Sequence, residues 1–317
     1  KHGIKLVLGY TVEGFKEKDN GVEVLLKDNP SLQADMVVLA IGVTPDTVLA
    51  KEAGLELGIK ESIVVNDRME TSVPDIYAAG DAVQVKHYVT GNDALISLAG
   101  PANKQGRIIA DNICGGDSRY LGSQGSSVIK VFDMTAATTG INETNAKKSG
   151  LEVDTVILSP MSHAGYYPGG KVMTMKVVFE KESYRLLGAQ IIGYEGVDKR
   201  IDVLATAIHA GLNATQLKDL DLAYAPPYSS AKDPVNMAGF MIDNIAKGTL
   251  KQWHLEDMDK ISKDKDVVLL DVRTVGEFSM GHIDGFKNIP VDELRERISE
   301  IEKGKPVYLI CQSGLRS

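Results

Sequence analysis

The chain has 317 residues, 43% of them hydrophobic and 25% charged, with a formal net charge of −8 at pH 7. That length allows two or three packed units, and the acidic balance argues against a nucleic-acid surface or a polybasic membrane patch. Only two cysteines occur, Cys114 and Cys311, and no apolar run approaches a membrane span, so no membrane partner and a reducing, cytoplasmic setting are expected.

The opening "KHGIKLVLGYTV" reads as mid-domain text, and the chain is expected to be a piece of a longer protein. Residues 1–50 read as short strands with a hairpin. "GVEVLL" alternates, and "ADMVVLAIG" (34–42) is a near-continuous apolar run, the mark of a strand covered on both faces. "SIVVND" and "DIYAAGDA" predict further short strands, the second ending at Gly80-Asp81. Residues 101–113 predict a helix. Pro101 suits its first position, Ile108, Ile109 and Ile113 share a face, and Gly115-Gly116 stop it.

From Ser127 the text changes. "SSVIKVFDMTAATTG", "EVDTVILS", "KVMTMKVVFE" and "RLLGAQIIG" are strand-like, and helices are expected over 142–149, 199–210, 213–220 and 234–246. That pattern predicts an α+β unit with an antiparallel sheet. A boundary falls near residues 247–250. Beyond it "DVVLLDVR" and "KPVYLIC" are strands around "VDELRERISEIEKG", which predicts an amphipathic helix. This βαβ text implies a small parallel sheet.

Cys311 ends the last strand and opens a loop containing Gly314 and Arg316. Backbone N–H groups in such a loop form a nest that stabilises an anion, and a thiolate is the reactive form of cysteine. Ser313 and Ser317 add hydroxyl donors. Four residues separate Cys311 from Arg316. Cysteine-dependent phosphatases use five, because their cradle wraps a phosphoryl group, so the shorter loop suits a sulfur atom. A lone cysteine is more often a buried structural residue. The text upstream overturns that default. Asp271-Val272-Arg273, Glu277-Phe278, Gly281-His282-Ile283, Gly285 and Asn288-Ile289-Pro290, followed by Cys311 to Arg316, resemble the rhodanese (sulfurtransferase) domain. The resemblance implies that Cys311 carries a persulfide cradled by the loop and Arg316. Asp271, Arg273, Glu277 and His282 read as structural.

"TSVPDIYAAGDA" (71–82) brings a backbone close to a ligand at Gly80 and offers a carboxylate at Asp81. It resembles the second flavin-contact motif of the FAD-dependent pyridine nucleotide-disulfide reductases. "SLAGPANKQGRIIADNI" agrees: its helix would aim an N-terminus at the flavin ring, where partial positive charge favours the reduced form. Leu98 and Ala99 at its start join Gly80 and Asp81 as the cofactor-binding positions that the resemblance implies. No G-x-G-x-x-G fingerprint occurs in the sequence, and Cys114 does not match the family's redox cysteine and reads as structural.

Residues 124–246 resemble the same family's dimerisation domain. In its coenzyme A-disulfide reductase branch, two tyrosines reach from the partner subunit toward the redox sulfur. Tyr166 in "SHAGYYPGG" and Tyr224 in "DLAYAPPYSSAKDPVN" are the matching positions, and would polarise or protonate a leaving thiolate. Tyr167 and Tyr228 read as interface packing, and His163 as a group that orients CoA or fills the interface.

The chain therefore reads as α/β and α+β multidomain. Its expected parts are 1–50, the end of an NAD(P)H-binding domain; 51–123, the end of an FAD-binding domain; 124–248, the dimerisation domain; and 249–317, a truncated rhodanese domain. It resembles the C-terminal part of a coenzyme A-disulfide reductase–rhodanese fusion. That implies FAD as cofactor, NADH or NADPH as reductant, a homodimer, and CoA disulfide, CoA persulfide or polysulfide as substrate; no metal is expected. The alternatives are a flavin NADH oxidase or peroxidase of the same fold, and a non-catalytic dimer scaffold.

Overall fold

The computed structural model describes residues 2–314 and Arg316. The fold divides into two units, one ending at Pro45 and one beginning at Asp46. In the first, β1 (Val12–Lys18), β2 (Gly21–Leu26) and β3 (Asn29–Ala34) form an antiparallel sheet with β2 in the centre. Residues 36–42 depart from expectation. No ladder includes this run, and Met36, Val38, Leu39 and Ile41 are exposed. A strand covered on both faces needs paired neighbours and covering layers. Among the described residues of this unit, the only sheet is the antiparallel one before it.

The second unit begins with a short helix, α1 (Val48–Glu52). It continues through a small sheet of β4 (Ile63–Val64), β5 (Val83–Lys86) and β6 (Asp93–Ala94), which lies beside helix α2 (Ala99–Ile113). Met69, Val83 and Val85 form the core here, packed by Ile108 and Ile109 of α2. The strand expected before Gly80 is reduced to one bridge, Glu70 to Tyr77, and the chain tightens into a 3₁₀ turn over Gly80–Ala82. Helix α2 starts two residues earlier than expected, so Pro101 is its third residue. Proline is tolerated there because amides of the first turn have no intrahelical partner.

Five strands follow: β7 (Ser127–Val131), β8 (Met134–Gly140), β9 (Val153–Leu158), β10 (Thr174–Glu180) and β11 (Leu186–Gly193). They form one antiparallel sheet in the order β7-β8-β11-β10-β9, as the strand text predicts. Helix α3 (Glu143–Lys148) lies between β8 and β9 in the chain. Helices α4 (Val197–His209) and α5 (Pro234–Ala246) follow β11. Met175, Val177, Leu187, Ala189 and Ile191 turn inward from the sheet and meet Ile201, Leu204 and Ile242 of the helices. Each of the Met, Val, Leu and Ile side chains among them contributes about 1.5–3 kcal/mol when fully buried. Residues 213–220 are helical as expected, but form a 3₁₀ helix over Ala214–Asp219, capped reciprocally by Asn213 and Gln216.

The C-terminal part has the expected parallel sheet. Helix α6 (Met258–Ile261) precedes β12 (Val268–Asp271), helix α7 (Val275–Ser279), β13 (Lys287–Asn288) and β14 (Val307–Ile310). β12 is central, parallel to both neighbours. The helix expected over 291–304 is absent. Turns occupy this stretch, with a 3₁₀ helix at Ile298–Glu300, and amides bond three residues back, as from Glu293 to Pro290 and from Leu294 to Val291. Val291, Leu294 and Ile301 all pack on Leu270, Val272 and Ile289. The Val291 amide bonds the Val272 carbonyl, which ties the start of this stretch to the chain just after β12, and helical spacing is only a weak prior.

Candidate active site

Two loops carry the tyrosines, residues 162–170 after β9 and 221–230 before α5. They bring the Tyr166 and Tyr224 hydroxyls to 2.8 Å, where either oxygen can donate. Both rings are outward-facing, 76% and 45% exposed. Pro226-Pro227 stiffen the backbone just after Tyr224. The bond from Tyr166, with some help from burial, holds the Tyr224 phenol above its usual pKa. Tyr224 borders a cleft of about 550 Å³ that His163, Lys199 and Tyr228 also line. His163 is buried, edge-on to Tyr167, and its Nδ1 lies 3.1 Å from the Ala164 carbonyl. A carbonyl only accepts, so that contact places the proton on Nδ1.

Beneath the cleft lies Arg200, 1% exposed. Its spacing from Val197, Ile201 and Leu204 puts it on the buried stripe of α4. Nη2 donates to the Ser162 carbonyl at 3.0 Å, the Tyr228 carbonyl at 3.3 Å and the Ser229 hydroxyl at 3.1 Å. Nη1 donates to the Gly196 carbonyl at 3.1 Å. The charge is met by Asp233, also buried, whose Oδ2 accepts from Arg200 Nη2 at 3.0 Å and from Ser229 Oγ at 2.7 Å. One guanidinium thus ties both tyrosine loops to α4. A backbone bond from Ala164 to the Ser229 carbonyl, 3.0 Å, joins the loops directly.

Cys311 follows β14 and is half-buried against the Leu270–Val272–Ile289 cluster. The Gly314 amide donates to its Sγ at 3.1 Å. Gly314 has φ +73°, a backbone region that glycine enters without strain. Arg316 donates from both terminal nitrogens to the two Glu277 oxygens, at 2.9 and 2.8 Å. Glu277 caps α7 reciprocally with Thr274. The Arg316 guanidinium, then the Thr274 amide, hold the Glu277 carboxyl down at about 2, and Glu277 in turn raises the Arg316 pKa. Arg316, expected as part of the cradle, is thereby also a strut from the loop to α7. Asp271 is buried against Arg273, and His282 stacks on Phe278. Ser317, expected as a donor, lies outside the described residues.

At the other end of the unit, the Gly80 amide donates to the buried Gln105 side-chain oxygen at 2.8 Å, which fixes the Gly80–Asp81 turn on α2. Gly80 has φ +86°, with nothing within 4 Å of where a Cβ would stand. Asp81 is exposed, as is Ala99 at the start of α2. The first helical bond of α2 runs from Ala102 to the Leu98 carbonyl, so the amides of Ala99 and Gly100 precede its ladder. Cys114, read as structural, is an exposed cap at the far end of α2.

Residues 1–106 match the family profile for pyridine nucleotide-disulphide oxidoreductases, and 126–234 match the dimerisation domain of the same family. The chain belongs to this family. Residues 254–317 match the rhodanese-like domain. The crystal structure of reduced Bacillus anthracis CoADR-RHD superposes with a TM-score of 0.92 at 47% identity, covering 97% of this chain and 55% of that one. An NAD-dependent persulfide reductase from A. fulgidus does so with a TM-score of 0.86 at 40% identity, covering 95% and 55%. An NAD(P)H sulfur oxidoreductase (CoA-dependent) from Pyrococcus abyssi is 37% identical over 74% of this chain and 52% of its own length. The chain spans about half the length of the curated relatives it matches.

The family uses FAD and NAD(P)H. The residues present fit one side of a flavin site: an open glycine backbone at Gly80, an exposed carboxylate at Asp81, and the N-terminus of α2, with Leu98 half-buried and Ala99 exposed. A carboxylate suits a polyol hydroxyl, and a helix N-terminus suits an electron-rich ring edge.

The structure brings Tyr166 and Tyr224 together, Gly80 and Asp81 onto α2, and Arg316 onto Glu277. Sequence reasoning missed Arg200 and Asp233. A charged residue inside the apolar stripe of "VDKRIDVLATAIH" is a signal for Arg200, whereas nothing local marks Asp233 as its partner.

Proposed function

We propose that this chain supplies the tyrosine pair and the sulfur-carrier domain of an FAD- and NAD(P)H-dependent reductase of CoA disulfide, CoA persulfide or polysulfide. The observation that carries this reading is the 2.8 Å pairing of Tyr166 with Tyr224, in a chain that also ends in a cysteine loop of rhodanese type. The relatives' names support the substrate class. The division into 1–50, 51–123, 124–248 and 249–317 belongs to the same reading, as do a homodimer formed through residues 124–246 and a cytoplasmic setting. Among the described residues no helix is long and apolar enough to cross a membrane.

When bound, FAD supplies the two-electron relay from NAD(P)H. Gly80, Asp81 and the amides of Ala99 and Gly100 would hold and orient it. The Tyr166–Tyr224 pair presents a phenol proton to a departing thiolate, a weak acid without formal charge. Arg200 fixes the two loops so that the pair is preorganised, and Cys311 receives or delivers sulfane sulfur.

In the whole enzyme, Tyr224→Phe keeps the ring and removes the donor. Turnover with CoA disulfide is expected to fall by about 10²-fold with flavin still bound. Equal turnover would return Tyr224 to packing, and turnover with oxygen but none with CoA disulfide would favour an NADH oxidase. Asp81→Ala is expected to weaken flavin affinity by about tenfold, from loss of one charge-assisted hydrogen bond. Unchanged flavin occupancy after dialysis would sink that assignment.

A further inference from the structure

The Cys311 loop rests on the free edge of the five-stranded sheet. β9 is last in the sheet order, so among the described residues its outer edge presents backbone groups that no strand pairs. The C-terminal part of the chain meets that edge instead. Gln252 donates from its side chain to the Thr155 carbonyl at 3.0 Å, and His254 Nε2 lies 2.8 Å from Asp154 Oδ1. Trp253 donates to the Leu309 carbonyl, which clamps this linker to β14. Further along, the Ser159 amide donates to the Ser313 carbonyl at 2.9 Å. Gly314 lies so close that a Cβ there would stand 3.0 Å from the Ile157 carbonyl oxygen.

Two of these contacts belong to one peptide group. The Ser313 carbonyl and the Gly314 N–H are the two ends of the same plane, and a peptide plane is rigid. Its oxygen accepts from Ser159 on the sheet edge, and its N–H donates to Cys311 Sγ. Successive hydrogen bonds through one peptide polarise each other. We propose that the edge of β9 acts as a mould for this peptide, so that docking of the rhodanese-like domain on the sheet sets the acidity of the Cys311 thiol. An undocked loop lets the plane swing and turns its N–H from the sulfur.

The charged groups around the loop fit this role. Arg316 interacts with the sulfur but is paired with Glu277, and Arg273 is paired with Asp271. On the docking side, His254 faces Asp154. With the cations largely neutralised by carboxylates, the peptide dipole is a donor aimed at Sγ. The inference rests on Cys311 as the sulfur carrier, but its test reads acidity alone and so fails separately from that reading.

The experiment is alkylation of the 317-residue chain by iodoacetamide across pH, resolved by cysteine with mass spectrometry. Cys114, exposed and remote in sequence, is the internal reference. Ser159→Pro deletes the amide donor by construction, and Gln252→Ala with His254→Ala loosens the docking without touching the loop. Both are expected to slow Cys311 alkylation at pH 7 by about tenfold, with its midpoint moved upward and Cys114 unchanged. An unchanged Cys311 profile in Ser159→Pro overturns the proposal. If that variant does not fold, an unchanged profile in the double variant does so.

Discussion

Cys311→Ser is expected to abolish sulfur transfer by the whole enzyme from thiosulfate or polysulfide, while its NAD(P)H-dependent reduction of CoA disulfide persists. On the proposed reading the transfer begins with attack of the Cys311 thiolate on the outer sulfur of thiosulfate. The S–S bond breaks, sulfite leaves with the electron pair, and a persulfide forms on Cys311, with atoms and charge balanced. Serine fills nearly the same space, so the loop and its Gly314 donor remain. Its hydroxyl does not ionise near neutral pH, and no sulfur anion is present to attack. Sulfite release measures the step directly. A rate within tenfold of the parent would remove Cys311 from the role of carrier.

Asp233→Ala is expected to destabilise the second unit by about 3–5 kcal/mol, because it leaves the Arg200 charge buried without its counter-ion. The Arg200 and Asp233 side chains are 1% and 4% exposed, so water cannot replace the lost partner cheaply. The change also removes the side-chain cap of α5, where Asp233 accepts from the Val235 amide at 3.0 Å, worth about 1 kcal/mol. Asp233→Asn can keep the cap and separates the two effects. Urea unfolding of the chain checks this. A loss below about 1 kcal/mol for Asp233→Ala would mean that the Ser162, Tyr228 and Ser229 oxygens suffice to hold the guanidinium.

Much of the second unit was legible because its signals are local. Strand periodicity marked β7 to β11, and α5 lies where a helix over 234–246 was expected, begun in the structure by an Asp233 cap with Pro234 at its first position. Other features depend on distant neighbours. The run at 36–42 has the composition of a buried strand, but composition does not provide a neighbour to pair with. The stretch from 291 to 304 has helical spacing, yet its Val291 amide is bonded to the Val272 carbonyl, a distant partner that spacing does not reveal. Family resemblance picked out Tyr166 and Tyr224, whereas their contact is a tertiary fact. Arg200 gathers groups from 162, 196, 228, 229 and 233, a convergence that no local pattern encodes. For Arg316, spacing gave the residue but not its partner Glu277, thirty-nine positions earlier.

The tyrosine pair also fixes a stoichiometry. Two phenols hold two hydroxyl protons, and at 2.8 Å one of those protons lies between the oxygens. Whichever ring donates inward, a single O–H remains outside the pair, and it borders the cleft when Tyr166 is the inward donor. On the proposed reading the site would hand over one proton per visit and need refilling before it could give another. Departure of one thiolate consumes one proton, so the count matches a single cleavage event. A ligand releasing two thiolates at once would find the second without a donor at this site, and release would become stepwise, paced by reprotonation from solvent through the exposed Tyr166 edge.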